Sequence, residues 1–149
     1  MNAIEFLKSQ HKEAKAAFQK IEEATESQRR ALWKHLSPEL KLHEQMEEKH
    51  LYGPVAKDAH DPELVSWPDR HGAEVHEAEQ LIAGIGRASP GDKHWLPDVK
   101  RLHTALEAHI KEEEGTIWPK IAQVWNASRL EEAGRKMEAM KAEKKQATS

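Results

Sequence analysis

The chain has 149 residues, of which 38% are hydrophobic and 33% are charged. This length and composition suit one surface-charged helical domain. The net charge of −3 gives no reason to expect nucleic acid or an anionic membrane as a partner. The absence of Cys excludes disulfides, a thiolate nucleophile, iron–sulfur clusters and Cys-based zinc sites. Because no apolar run approaches the roughly 18 residues of a membrane span, and the N-terminus lacks the basic and apolar regions of a signal peptide, we expect a cytoplasmic protein.

The first half of the chain predicts two amphipathic helices. Helix 1, about residues 2–24, carries apolar residues at helical spacing, with His11 in the middle of the apolar stripe. Helix 2 covers about residues 27–52. Pro38 interrupts this pattern, which predicts either a kink or a new helix start capped by Ser37.

The second half predicts a connection, two more long helices and a last helix. The predicted bounds are 53–67 for the connection, 68–85 for helix 3, 97–118 or 97–125 for helix 4, and 128–140 for the last helix. Pro68 suits the first turn of helix 3, and Ser128-Arg129-Leu130-Glu131 is a capping box that opens the last helix. Residues 141–149 are polar and predicted to fray.

Four amphipathic helices joined by short or medium connections predict an all-α fold, an antiparallel up-down-up-down four-helix bundle with an additional short C-terminal helix. We expect residues 1–125 to form the bundle and residues 126–149 the C-terminal helix and polar tail. The chain also resembles a duplicated helical hairpin. His43 follows His11 by 32 residues, and His109 follows Val75 by 34, so Val75 stands where the first half has His11.

One motif occurs in both halves. His43 precedes Glu47 by four residues and His109 precedes Glu113 by four, and each Glu is followed by a second Glu, an aliphatic residue, an aromatic residue and a proline. Four residues is about one helical turn, so each His–Glu pair shares the helix face that should meet the core. A buried carboxylate is costly unless something compensates it. A bound cation is the simplest compensation for two such pairs.

Each of these features has an ordinary explanation when taken alone. A lone His on an apolar stripe is more often a satisfied core residue, and a single His-x3-Glu pair arises by chance in a chain rich in Glu. The two matched pairs, together with His11 on a third stripe, favour a metal site. Five other His have no partner in the repeat and are interpreted as surface residues or as neighbours of the ligands, although one of them shares the face of His43; they are His35, His50, His60, His94 and His103.

The predicted ligands are imidazoles and carboxylates only. This mixture fits iron or manganese, fits zinc less specifically, and disfavours calcium and magnesium, which prefer oxygen ligands. Carboxylates from opposed helices can each bridge two ions, as in helical di-iron proteins. The ferritin-like Glu-x-x-His signature occurs once, from Glu47 to His50, without the partner that family requires.

The sequence resembles the hemerythrin-like family, the His-His-Glu cation-binding four-helix domains, over residues 1 to about 125. The matching features are Leu7 to His11 with Phe18, His43-x3-Glu47-Glu48 with Leu51-Tyr52-Gly53-Pro54, and His109-x3-Glu113-Glu114 with Ile117-Trp118-Pro119. The resemblance implies a non-heme di-iron centre in the bundle core, with bridging carboxylates, an oxo or hydroxo bridge and an open position for O2 or NO. It implies as ligands His11, His43, Glu47, His109 and Glu113.

The family's ligand on helix 3 has no direct counterpart, because Val75 occupies its expected position. His71 lies four residues earlier on the same face, like the first member of the family's His-x3-His pair. His76 lies about 100° round the helix from Val75. We predict that His71 is the ligand rather than His76. The third alternative is that helix 3 contributes no ligand and water fills the gap.

We expect a cytoplasmic non-heme di-iron protein that binds O2, NO or peroxide for carriage, sensing or oxidative and nitrosative protection, and a binding protein rather than an enzyme. One alternative is a di-iron oxidase, peroxidase or iron-donating repair protein, which would use the same ligands. Another is a metal-free helical interaction domain. We expect a monomer or weak homo-oligomer with no nucleic-acid or membrane partner.

Overall fold

A computed structural model describes the backbone of residues 1–148 and the side chains of residues 1–146. The helices are α1 Ala3–Glu23, α2 Glu26–Glu47, α3 Gly53–Asp58, α4 Pro62–Arg87, α5 Trp95–Glu112, α6 Trp118–Val124 and α7 Ala127–Thr148. Two π-helical segments, π1 Glu48–Tyr52 and π2 Glu113–Ile117, join α2 to α3 and α5 to α6. Residues 1–148 contain no strand, and the all-α prediction is confirmed.

Polar side chains at the helix starts explain why several predicted bounds were wrong. Asp61 accepts a hydrogen bond from the Glu63 backbone N–H at 2.8 Å, so α4 begins at Pro62 and contains Pro68 in its interior. The Asn126 side chain accepts from the Arg129 backbone N–H at 2.9 Å. Asn126 is therefore the residue that caps α7, rather than Ser128.

Other differences from the predicted bounds arise from tertiary packing. Helix α2 continues through Pro38, because buried Trp33 and Leu36 before it and Met46 after it hold both parts against the core. The predicted connection contains α3, and α5 starts at Trp95 rather than at residue 97. Helix α7 is longer than predicted, and residues 141–148 are helical where we expected fraying; residue 149 lies outside the described part.

The apolar core is divided into two clusters. One cluster joins the starts of α1 and α4 to the end of α2 and to π1, α3, π2, α6 and α7, and it includes Leu7, Met46, Trp67 and Trp118. The other joins the ends of α1 and α4 to the starts of α2 and α5. This distribution agrees with the predicted alternation of helix directions, and the up-down-up-down topology stays a prediction.

Helix α7 packs on the first cluster, where Leu130, Ala133 and Met137 are buried. It meets the start of α1 closely, since a Cβ at Gly134 would overlap the Met1 carbonyl oxygen. The last helix therefore closes one end of the bundle core. In the part of the chain that the structure describes, no helix combines the length and apolarity needed to cross a bilayer.

Candidate metal centre

The six predicted ligands lie together between the two apolar clusters. They come from four sides of the bundle: His11 from α1, His43 and Glu47 from α2, His71 from α4, His109 from α5, and Glu113 from the first position of π2. Glu47, His71 and Glu113 are 0% exposed. The structure thus brings together every residue that the sequence predicted for the site.

The Nε2 atoms of the four imidazoles face the two buried carboxylates. Glu47 Oε1 lies 2.9 Å from His43 Nε2 and 3.8 Å from His71 Nε2. Glu113 Oε1 lies 3.4 Å from His11 Nε2 and 3.3 Å from His109 Nε2. His11 and His43, from α1 and α2, form one His pair, and His71 and His109, from α4 and α5, form the other. Each carboxylate therefore faces one His of each pair.

The opposite ring nitrogen of each imidazole is held by an oxygen atom. The Nδ1 contacts are His11 with Glu114 at 2.8 Å, His43 with Gln10 at 2.7 Å, His71 with Glu48 at 3.0 Å, and His109 with Glu74 at 2.7 Å. Because carboxylate and amide oxygens accept, each Nδ1 carries a proton. Each Nε2 then faces the centre, where it can hold either a second proton or a metal ion.

Sequence reasoning assigned no role to the four residues whose oxygen atoms accept these hydrogen bonds. Glu48 and Glu114 are the second Glu of the repeated motif, so their matching positions were an available signal. Gln10 and Glu74 carry no comparable signal in the sequence. Their roles depend on a neighbouring helix that brings an imidazole to them.

The protonation of the site shows how much charge is concentrated there. Burial lowers the pKa of His71, but the Glu44 and Glu47 carboxylates outweigh this and raise it to about 11. For His109, the carboxylates of Glu113, Glu44 and Glu47 likewise outweigh the effect of burial and raise the pKa to about 10. Burial and the adjacent Glu113 raise the pKa of Glu47 well above its usual range. Without a cation, protons must compensate the carboxylates.

Unpaired polar atoms test whether the site fits a metal ion. Within residues 1–146, five buried atoms of the site make no hydrogen bond of good geometry and have only ion-pair contacts of 2.9 to 3.8 Å with neighbouring imidazoles or carboxylates. They are Glu44 Oε2, Glu47 Oε1, His71 Nε2, His109 Nε2 and Glu113 Oε1. All five belong to imidazole or carboxylate groups, a donor set that suits iron, manganese or zinc. The residues present therefore fit a metal ion.

A π-helical segment follows the His–Glu pair in each half. The π-helix hydrogen bond spans five residues, whereas five residues make about 1.4 turns of an α-helix. The wider turn brings Tyr52 back over Glu47, and its hydroxyl lies 2.8 Å from Glu47 Oε2 and also contacts Glu113 Oε2. A proline two residues beyond each segment disfavours ordinary α-helical bonding there. Neither segment was predicted.

Helix α4 directs His71 and not His76 toward the centre. His71 is fully buried, while the exposed His76 lies 3.3 Å from the Gln80 side chain on the outer face. Val75 is partly exposed and lines a cavity beside the centre. The placement agrees with the choice of His71, whose role as a ligand stays a prediction.

The other His lie away from the ligand atoms. His35, His60 and His94 are exposed, and His50 is partly buried. His103 stacks on Phe18 with the ring centroids 4.8 Å apart, in the second apolar cluster. The interpretation of these residues as surface residues or neighbours agrees with their positions.

Sequence reasoning missed Glu44. Its Oε2 lies 2.9 Å from His71 Nε2, and its side chain is 21% exposed. Two groups of potential ligands can be recognised, and within each group the ligand atoms lie within 4.8 Å of one another. Glu47 belongs to both groups. The first group also contains His11, His43 and Glu113, and the second also contains Glu44, His71 and His109. The repeat could not reveal Glu44, because Ile110 occupies its position in the second half.

The fold and the site define a helical bundle with a His- and carboxylate-lined cation site in its core. The profile of the hemerythrin HHE cation binding domain matches residues 2–121, and the chain belongs to this family. A solved hemerythrin HHE cation binding domain-containing protein from Mycobacterium kansasii is similar, with 31% identity, a TM-score of 0.77 and coverage of 95% of this chain and 86% of that one. A search of curated proteins finds no significant match.

Proposed function

We propose that this HHE domain is a non-heme di-iron protein that binds O2, NO or peroxide in the bundle core. The main support for the proposal is the position of Glu47 and Glu113. The Oε1 atom of each lies 2.9 to 3.8 Å from the Nε2 atom of one His of the α1–α2 pair and one His of the α4–α5 pair. A carboxylate placed between two His pairs is positioned to bridge two ions. The arrangement favours two adjacent metal positions over one.

The ligand roles follow from this pairing. His11 and His43 would hold one ion, His71 and His109 the other, and the carboxylates of Glu47 and Glu113 would bridge them. Iron would supply a redox-active centre with affinity for small oxygen and nitrogen ligands. The Tyr52 hydroxyl, through its contacts with both bridging carboxylates, would hold their orientation.

The surroundings suit a small ligand. A cavity of about 330 Å³ lies between α4 and α5, with Glu44 and His109 in its wall. Val75, Ala78 and Leu106 give much of the remaining wall an apolar character. The apolar part of this cavity would suit a small uncharged molecule, while the Glu side chains lie along the rest of its wall.

A metal-free interaction domain gives no reason to gather four imidazoles and three carboxylates around one buried place. An oxidase, peroxidase or repair protein would need the same ligands, and turnover with a defined substrate would separate it from a binding protein. The cytoplasmic location and the monomeric or weakly oligomeric state stay predictions.

The test is to purify the protein from iron-replete cells and measure bound metals by mass spectrometry, together with the visible absorption spectrum. We expect about two iron ions per chain and a ligand-to-metal band that changes when NO or peroxide is added. His76→Ala is the matched control, since this exposed His lies outside the centre. Stoichiometric zinc or manganese, or no metal at all, would contradict the di-iron proposal.

A further inference from the structure

We propose that the peroxide bound at this centre is an uncharged organic hydroperoxide, whose apolar group occupies the cavity between α4 and α5. This inference names a ligand class for the function proposed above and rests on that function. O2, NO and hydrogen peroxide need little space beyond the centre itself. An organic hydroperoxide needs a second, apolar space beside it, and the cavity provides one.

The size of the cavity exceeds what a diatomic ligand needs. Its volume is about 330 Å³, whereas one water molecule takes up about 30 Å³ in the liquid. Pockets for small organic molecules begin at about 300 Å³. A smaller recess, also lined by Phe18, shares with the cavity the apolar residues Val75, Ala78, Leu102 and Leu106. The space therefore fits a molecule that carries an alkyl or aryl group.

One end of the cavity reaches the centre, and the other end reaches the solvent. His109 lies in its wall, and the Nε2 atom of this predicted ligand faces Glu113 Oε1 at 3.3 Å. The exposed residues Glu77 and Ala105 also line the cavity, and they mark its mouth. A molecule that enters there can place a polar end group at the centre while its apolar part stays between the helices.

The charges in the wall favour an uncharged molecule. Within residues 1–146, none of the lining residues is Lys or Arg, and four are carboxylates: Glu44, Glu74, Glu77 and Glu112. An anionic ligand, such as a fatty-acid hydroperoxide, would be repelled by them and would find no cation. A cationic ligand would gain little, because the exposed Glu77 lies in water and the other three already contact a basic side chain. Those contacts are Glu44 with His71, Glu74 with His109, and Glu112 with Arg70.

The internal repeat shows that this space is open where its counterpart is covered. The counterpart is a recess of about 30 Å³ beside His43, whose wall repeats that of the cavity. The corresponding residues are Gln10 and Glu74, Glu13 and Glu77, Leu40 and Leu106, and His43 and His109. Lys141 of α7 also lines the recess, and α7 packs against α1 and α2. Every residue that lines the larger cavity comes from α2, α4 or α5. The last helix thus closes one of two equivalent spaces and leaves the other open to a ligand.

The test titrates the purified protein with 2-phenyl-2-propanol, the unreactive alcohol that corresponds to cumene hydroperoxide, and with its para-carboxylate derivative. We expect saturable binding of the alcohol in calorimetry and much weaker binding of the carboxylate. Ala78→Phe places a ring in the cavity and should weaken alcohol binding at least about tenfold, because the lost burial of two methylene groups already has that effect. Ala83→Phe is the matched control, since Ala83 is exposed on the same helix and does not line the cavity.

Hydrogen peroxide separates the cavity from the centre. In the iron-containing protein, Ala78→Phe should raise the concentration of cumene hydroperoxide that changes the ligand-to-metal band, and it should leave the response to hydrogen peroxide at the wild-type level. If Ala78→Phe does not fold, a wild-type crystal soaked with the alcohol decides, and density for the alcohol outside the cavity contradicts the inference.

The failure of this inference can be distinguished from the failure of the di-iron proposal. An iron-containing wild type that shows no saturable binding of the alcohol would overturn the hydroperoxide assignment and leave the di-iron centre intact. A wild type without iron would overturn both.

Discussion

Tyr52 and Trp118 occupy matching positions in the two halves, and the Trp118 indole N–H donates to the Tyr52 hydroxyl at 2.8 Å. That hydroxyl contacts the carboxylates of both Glu47 and Glu113. The two π-helical segments therefore meet over the centre through one pair of side chains. This contact links the predicted metal ligands of α2 and π2, Glu47 and Glu113, without involving a metal ion.

The Tyr52 hydroxyl should accordingly contribute to stability even without metal. Tyr52→Phe leaves the Trp118 N–H unpaired and removes a contact from both carboxylates, so we expect a loss of about 1–3 kcal/mol in the free energy of unfolding. Urea denaturation of chelator-treated protein measures this loss. An unchanged urea midpoint would show that the hydroxyl contributes nothing to folding.

Loss of either carboxylate that we propose as a bridge should remove most of the metal. Glu47→Ala or Glu113→Ala takes away a group that faces both His pairs, so neither ion keeps its full set of ligands. Metal analysis of the purified variants, with exposed Glu79→Ala as the matched control, tests this prediction. If both variants retain the wild-type metal content, these carboxylates do not bridge.

The two His on helix α4 should behave differently. His71→Ala removes an imidazole that is fully buried at the centre, so we expect reduced iron content and a weaker ligand-to-metal absorption band. His76→Ala should change neither, because His76 contacts Gln80 on the outer face. Loss of iron in the His76 variant alone would reverse this assignment.

Metal should make a large contribution to thermal stability. Binding to the folded state adds to the free energy of folding, and here it also compensates carboxylates that are fully buried. We expect the melting temperature to fall when a strong chelator is added and to recover with excess iron. Coincident melting curves would mean that the site binds metal too weakly to affect folding.

The stabilisation by metal should increase with pH. In the metal-free protein His71 and His109 have pKa values of about 11 and about 10, above the ordinary value of 6.5. Their contribution to stability is fully present below about pH 6.5 and is lost as pH rises through the folded-state values. Protons also compete with metal for Nε2.

As pH rises, both effects increase the difference in stability between the metal-bound and the metal-free protein. The shift in melting temperature caused by metal should be larger at about pH 8.5 than at about pH 6.5. Melting curves at the two pH values, each with and without chelator, measure the shift. A shift that is equal or larger at the lower pH would contradict the assignment of His71 and His109 as ligands.

The sequence by itself determined the helical class and the two His–Glu pairs. Helical periodicity and the four-residue spacing are local properties, so His43 with Glu47 and His109 with Glu113 could be placed on core-facing surfaces without knowing the fold. The repeat placed the two pairs at equivalent positions. The prediction of His71 rested on its place on the apolar face of its helix and on the resemblance to the family's His-x3-His pair, and its role as a ligand stays a prediction.

Only the tertiary structure decided which groups complete the site. The Nδ1 partners of His11, His43, His71 and His109 come from other helices, and so does Glu44, which approaches His71 from α2. The π-helical segments also became visible only in the structure: a proline follows each of them, but the contacts of Tyr52 with Glu47 and Glu113 join distant parts of the chain. Contacts between helices depend on how side chains from distant parts of the chain share one buried space, and local spacing carries no information about that.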